Sequence, residues 1–200
     1  MSRLGTETAF EVLVKAQALE AKGVNVIHLE IGEPDFPTPE HIIEGGIAGL
    51  REGLTKYCAS QGVVPLREAI AVEAGDSRGI KVDPANVVVT PGAKPIMFYS
   101  IMALVDPGDE VIYPDPGFPI YRSMISFVGG TPVPLPLRQE REFRFDAAEL
   151  RDKVSSKTKM IILNSPHNPT GGALEKEDLE EIARLAIERD IVVLADEVYR

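Results

Sequence analysis

Nine residues, Asn164-Ser165-Pro166-His167-Asn168-Pro169-Thr170-Gly171-Gly172, gather side-chain amides and backbone constraints in one short stretch. They follow the apolar run Lys159-Met160-Ile161-Ile162-Leu163, which reads as a buried parallel strand. Pro166 and Pro169 remove two backbone donors, fix two φ angles and push the residues before them toward extended conformations. Asn164 and Asn168 then present amide groups at the carboxyl edge of a sheet, where open α/β folds place their ligands. Asn168-Pro169 is also a candidate cis bond. Turn chemistry alone uses the same residue types. A second run of the same kind, Ile191-Val192-Val193-Leu194-Ala195, ends in Asp196-Glu197-Val198-Tyr199. One strand end delivering an amide and another delivering a carboxylate and a phenol form a constellation.

Other residues have the right types to join it. In Thr90-Pro91-Gly92-Ala93-Lys94, a glycine at a helix start lets the backbone approach a ligand, and the N–H groups that follow form an anion site. Phe118, in Pro116-Gly117-Phe118-Pro119, is by residue type a core phenylalanine. Tyr199 suits a hydrogen bond to a ligand and equally the cap of a core. By residue type Tyr57 reads as a surface tyrosine and Gly32 as a residue that permits an unusual φ. At the second strand end Glu197 is as eligible as Asp196 on type alone, and His167 is assigned a structural role.

The elements that must position these residues are readable from the apolar spacing. Residues 6–22 show helical periodicity stopped by Gly23, residues 26–31 look like a strand, and helices are expected from Pro39 to about Arg51 and from Pro65 to about Ala74. From Asn86 onward strands and helices alternate: a strand over 87–90, a helix from Gly92 to Val105, a strand over 110–113 and a helix after Pro119 up to Gly129. A weak, proline-bearing edge strand at 131–134 and a short helix over 145–153, capped by Asp146, come before the two strands already described. A helix from Glu175 to about Glu188 separates those two. The expected fold is therefore α/β, a three-layer αβα arrangement with a mostly parallel sheet.

Composition narrows the function classes. The chain has 200 residues, 44% hydrophobic and 26% charged, an ordinary globular balance. A formal charge of −10 offers no basic stripe for nucleic acid. No apolar run approaches the roughly 20 residues that span a bilayer, and residues 1–7 show no secretory signal, so a cytoplasmic location is expected. A single cysteine, Cys58, rules out an internal disulfide and builds no metal site. No Gly-x-Gly-x-x-Gly follows the 87–90 segment and no Walker loop exists, which disfavours a nucleotide-binding domain.

Taken together, Asn168-Pro169-Thr170-Gly171 and Asp196-Glu197-Val198-Tyr199 resemble the fold-type-I, pyridoxal-phosphate-dependent aminotransferases of class I and II, from the Gly32 loop to Tyr199. The resemblance implies pyridoxal 5'-phosphate as cofactor. It implies that Asp196 pairs with the pyridine nitrogen, that Asn168 and Tyr199 hydrogen-bond the phenolic oxygen, and that Phe118 stacks on the ring. It puts the phosphate on the amides of Ala93 and Lys94 beyond Gly92, with Tyr57 reaching it from the other subunit of a homodimer. Gly32 and Asn168 are implied at the substrate, an amino acid or a 2-oxo acid. In domain terms, residues 1–37 would be an N-terminal arm or small-domain part and residues 38–200 the cofactor-binding large domain.

The family's cofactor-binding lysine has no counterpart here, since Lys94 matches the phosphate cup; it is expected beyond Arg200, as is the arginine that clamps the substrate carboxylate. No catalytic residue and no metal ligand is therefore assigned. The expectation is the N-terminal part of a longer aminotransferase, inactive by itself. A pyridoxal-phosphate-dependent β-lyase and a non-catalytic domain derived from the same fold are the alternatives.

Overall fold

The computed structural model describes residues 8–199. It divides into two compact units, one spanning residues 8–91 and the other beginning at Gly92. The first contains three helices, α1 (Thr8–Glu20), α2 (Glu40–Arg51) and α3 (Val64–Arg78). Residues 6–7 of the first expected helix lie outside the described residues.

Two expected strands in this unit are not strands. The 26–31 segment is irregular, with Ile27 and Leu29 exposed. It is tied down by side chains instead: His28 bonds Glu20 at 2.9 Å and Glu30 at 2.6 Å. In the 87–90 segment the backbone groups are already spent. The Val87 carbonyl accepts Arg67 Nε at 3.0 Å, the Val87 N–H donates to Pro84, and the Val89 N–H donates to Gln61. An apolar run predicts burial, but a strand also needs a neighbour with free ladder groups.

The second unit is the α/β layer structure expected. Four strands, β1 (Glu110–Asp115), β2 (Thr131–Pro136), β3 (Thr158–Asn164) and β4 (Val192–Asp196), pair in parallel in the order β2-β1-β3-β4. The proline-bearing β2 takes an edge, where its missing donors cost least. Four helices cover the sheet: α4 (Lys94–Leu104), α5 (Ile120–Val128), α6 (Ala147–Lys153) and α7 (Lys176–Arg189). The period-2 rule sorts the strand side chains onto two cores. Val111, Tyr113, Met160 and Ile162 pack with Met97 and Ile101 of α4 and with Tyr121, Met124 and Ile125 of α5. Ile112 and Ile161 pack on the other face with Leu150 of α6 and with Ile182 and Leu185 of α7. Among the described residues no helix is long and apolar enough to cross a membrane.

The caps follow local chemistry. Asp146 accepts the N–H groups of Ala148 and Glu149 at the start of α6, as expected. At α7, Asp178 accepts the Glu175 N–H at 2.9 Å and is gripped by Arg144, Nε at 2.7 Å and Nη2 at 3.0 Å. Burial alone pushes the Asp178 carboxyl up, but those donors outweigh it and hold the group below the usual carboxylate range. A carboxyl depressed in the folded state contributes stability that is complete above its unfolded value and is lost as pH falls through the folded one. Urea denaturation is therefore expected to show wild type losing more stability than Asp178→Asn as pH falls from about 4, the unfolded value.

Candidate functional site

The strand order changes direction between β1 and β3: β1 leads to β2 on one side, while β3 and β4 lie on the other. Open parallel sheets leave a crevice at the carboxyl ends of strands at such a switch point. Two loops, residues 116–119 after β1 and 165–175 after β3, border it here.

Asp196 closes β4 with its side chain almost fully buried, at 9% exposure. Its Oδ2 accepts the Tyr121 hydroxyl at 2.6 Å, and its Oδ1 accepts the Val198 N–H at 3.3 Å. Tyr121 is completely buried. Burial first, then the bond to Asp196, pushes its phenol far above the ordinary tyrosine value, so the hydroxyl stays a donor across any pH the fold survives. Glu197, eligible on residue type, is exposed, whereas Asp196 is buried.

Tyr121 in turn meets Phe118 edge to face, with ring centroids 5.9 Å apart. The Lys94 ammonium lies 6.0 Å from the centre of the Phe118 ring. That contact brings the start of α4 to the loop after β1. Gly92 adopts φ +88° just before Ala93, the N-cap of α4, a backbone region that favours glycine. Phe118 lies just before α5 and Tyr121 in its first turn, joined by the Tyr121 N–H donating to the Phe118 carbonyl at 3.1 Å, so the close aromatic pair at a turn into a helix is the signal that sequence reading passed over.

The loop after β3 is held from within. The His167 N–H donates to Gly172 O, the Gly171 N–H donates to His167 O, and Thr170 Oγ1 accepts the Gly172 N–H while bonding His167 Nδ1 at 2.8 Å. Burial holds the His167 imidazole below its ordinary pKa, in keeping with a structural role. The Asn168-Pro169 bond is cis, as are Ser165-Pro166 and Asp115-Pro116. The Asn168 side-chain amide is half-buried and makes no hydrogen bond among the described residues. Asn164 departs from its expected role. It is 5% exposed, and both ends of its amide are bonded inside the fold, so it presents nothing to a ligand.

One arrangement thus gathers Gly92, Ala93, Lys94, Phe118 and Asp196 through their neighbours, with Asn168 on the loop beside β4. Tyr199 is exposed and lies three residues beyond Asp196 in the chain. Gly32 and Tyr57 belong to the other unit; both are exposed, and a Cβ on Gly32 would meet nothing within 4 Å.

Removing only the Tyr121 hydroxyl leaves a buried carboxylate oxygen short of a donor. Tyr121→Phe is expected to lower unfolding stability by about 1–2 kcal/mol in urea denaturation, with the two-state slope unchanged.

Fold and site together define a doubly covered parallel α/β protein with polar groups at the carboxyl ends of its strands, beside a sheet switch point. The chain belongs to the aminotransferase class I and II family, which it matches over residues 24–200. It is 43% identical over 199 residues to a probable aspartate/prephenate aminotransferase of Aquifex aeolicus, covering 100% of this chain and 50% of that protein. Among solved structures, an aspartate aminotransferase from Thermus thermophilus with maleate superposes with a TM-score of 0.94 at 39% identity, covering 100% of this chain and 53% of the other. An alanine aminotransferase from Pyrococcus furiosus gives 0.92 at 36% identity, covering 97% and 50%. The chain spans about half the length of the relatives it matches.

Proposed function

We propose that this chain forms the cofactor cradle of a pyridoxal-phosphate-dependent aminotransferase, acting on an amino acid and a 2-oxo acid as a cytoplasmic homodimer. The observation that carries the reading is the pairing of the last residues of β3 and β4: a buried carboxylate, Asp196, stands beside a loop whose side-chain amide, Asn168, makes no hydrogen bond among the described residues.

The residues present fit the group. Bound there, pyridoxal phosphate would supply an electron sink for the electron pair left at an amino acid's α-carbon. Asp196, fixed by Tyr121 and Val198, would hold the proton on the ring nitrogen. Asn168 and Tyr199 would donate to the ring oxygen, and Phe118 would cover one face, a contact worth about 0.5–1.5 kcal/mol beyond burial. The N-terminus of α4, with the amides of Ala93 and Lys94, would take the phosphate. Gly32 would lie at the substrate carboxylate, and Tyr57 would reach the phosphate of the partner subunit. The division into an arm over residues 1–37 and a cofactor domain over 38–200 is part of the same proposal.

Titrating the chain with pyridoxal 5'-phosphate while recording absorbance tests it. Saturable binding that competes with pyridoxamine phosphate is expected. A spectrum identical to free cofactor at all protein concentrations would contradict the cradle.

A further inference from the structure

Asn164 is the last residue of β3 and pairs in register with Asp196, the last residue of β4. Beyond that rung the main-chain ladder ends and a side chain takes over. Asn164 Nδ2 donates to the Asp196 carbonyl at 3.0 Å. Asn164 Oδ1 accepts the Asn168 N–H at 2.8 Å. One amide therefore grips the main chain of the two residues that carry the functional groups, 32 positions apart in sequence on one side and 4 on the other. The grip is sheltered, since Asn164 is buried. A buried amide bonded at both ends is costly to disturb, because either rotation leaves a donor facing a donor or an acceptor facing an acceptor.

We propose that Asn164 is a positioning residue that fixes the separation and aim of Asn168 and Asp196 as one unit. This rests on the reading of those two as the groups flanking the cofactor ring. Asparagine suits the post by its chemistry. Leucine would keep the branched outline of the side chain, at a larger volume, and lose both bonds. Aspartate would keep the acceptor for Asn168 and turn an oxygen toward the Asp196 carbonyl.

Two measurements test the inference. The first needs no ligand: amide hydrogen exchange by NMR on the 200-residue chain. In Asn164→Leu the Asn168 N–H and the Val198 N–H, which reports on Asp196 Oδ1, are both expected to exchange about tenfold faster or more. In Asn164→Asp with its carboxyl ionised, Val198 speeds up while Asn168 stays protected, so the test stands even where the leucine variant fails to fold. Ser165→Ala, which removes only the acceptor of the Leu174 N–H in the same loop, leaves Val198 unchanged. Unchanged exchange at Val198 in both Asn164 variants would overturn the inference.

The second is a double-mutant cycle on pyridoxal 5'-phosphate affinity. Asn168→Ala is expected to weaken binding about tenfold in wild type and less than about threefold in Asn164→Ala, because the amide is no longer aimed. Equal losses in both backgrounds would sink the positioning role. Absence of any binding by wild type would instead sink the cofactor reading, while the exchange data still decide whether Asn164 couples the two strand ends.

Discussion

If the proposed function holds, Asp196→Asn in the whole protein is expected to lower kcat/KM for amino transfer by about 10²–10³-fold, the scale of losing one preorganised electrostatic contact in a closed site. The substitution keeps the size of the side chain and removes its charge. In the structure the carboxylate accepts two fixed donors, Tyr121 Oη–H and the Val198 N–H. An asparagine with its oxygen on the Val198 N–H turns an NH₂ toward the Tyr121 hydroxyl, which accepts it, so both contacts are kept while the charge is lost. A neighbouring carboxylate favours a protonated ring nitrogen by about one to three pKa units, and each unit is worth about 1.4 kcal/mol. Steady-state kinetics would measure the change; a loss below about threefold would mean that Asp196 does not face the ring.

Gly117→Ala is expected to destabilise the fold by about 3 kcal/mol, the upper end of the cost of overpacking. β1 ends at Asp115, and the chain turns through Pro116 so tightly that a Cβ on Gly117 would overlap the Pro114 carbonyl oxygen. Backbone cannot swing aside as a flexible side chain does, so the turn itself has to move. Phe118 follows directly, and behind it stand Tyr121 and Asp196. The same substitution therefore displaces the aromatic platform, and the near-ultraviolet circular dichroism of the folded variant should change with it. Urea denaturation gives the stability; a shift under about 0.5 kcal/mol, the level of an ordinary surface substitution, would contradict the steric argument.

The residues that sequence reading placed well share one property: their chemistry is local. The cap at Asp146, the edge position of β2 and the apolar runs of β3 and β4 depend on a few neighbours along the chain. So does the cis Asn168-Pro169 bond of the loop after β3. The residues it misplaced depend on partners far away in sequence. Segment 87–90 reads as a strand until Arg67 and Gln61 occupy its backbone. Asn164 reads as a ligand group until Asp196 arrives from 32 positions away. Tyr121 was invisible for the same reason, since 75 positions separate it from the carboxylate it bonds. Local pattern names the candidate groups, and long-range hydrogen bonds decide which of them remain available to a ligand.

The central claim is that Asp196 faces the nitrogen of a pyridine ring held at the ends of β3 and β4. The ¹⁵N chemical shift of pyridoxal 5'-phosphate labelled at that nitrogen, bound to wild type and to Asp196→Asn, reads this directly. The account predicts a protonated, pyridinium-type shift in wild type that moves to the neutral pyridine range in the variant. The same shift in both proteins would contradict it.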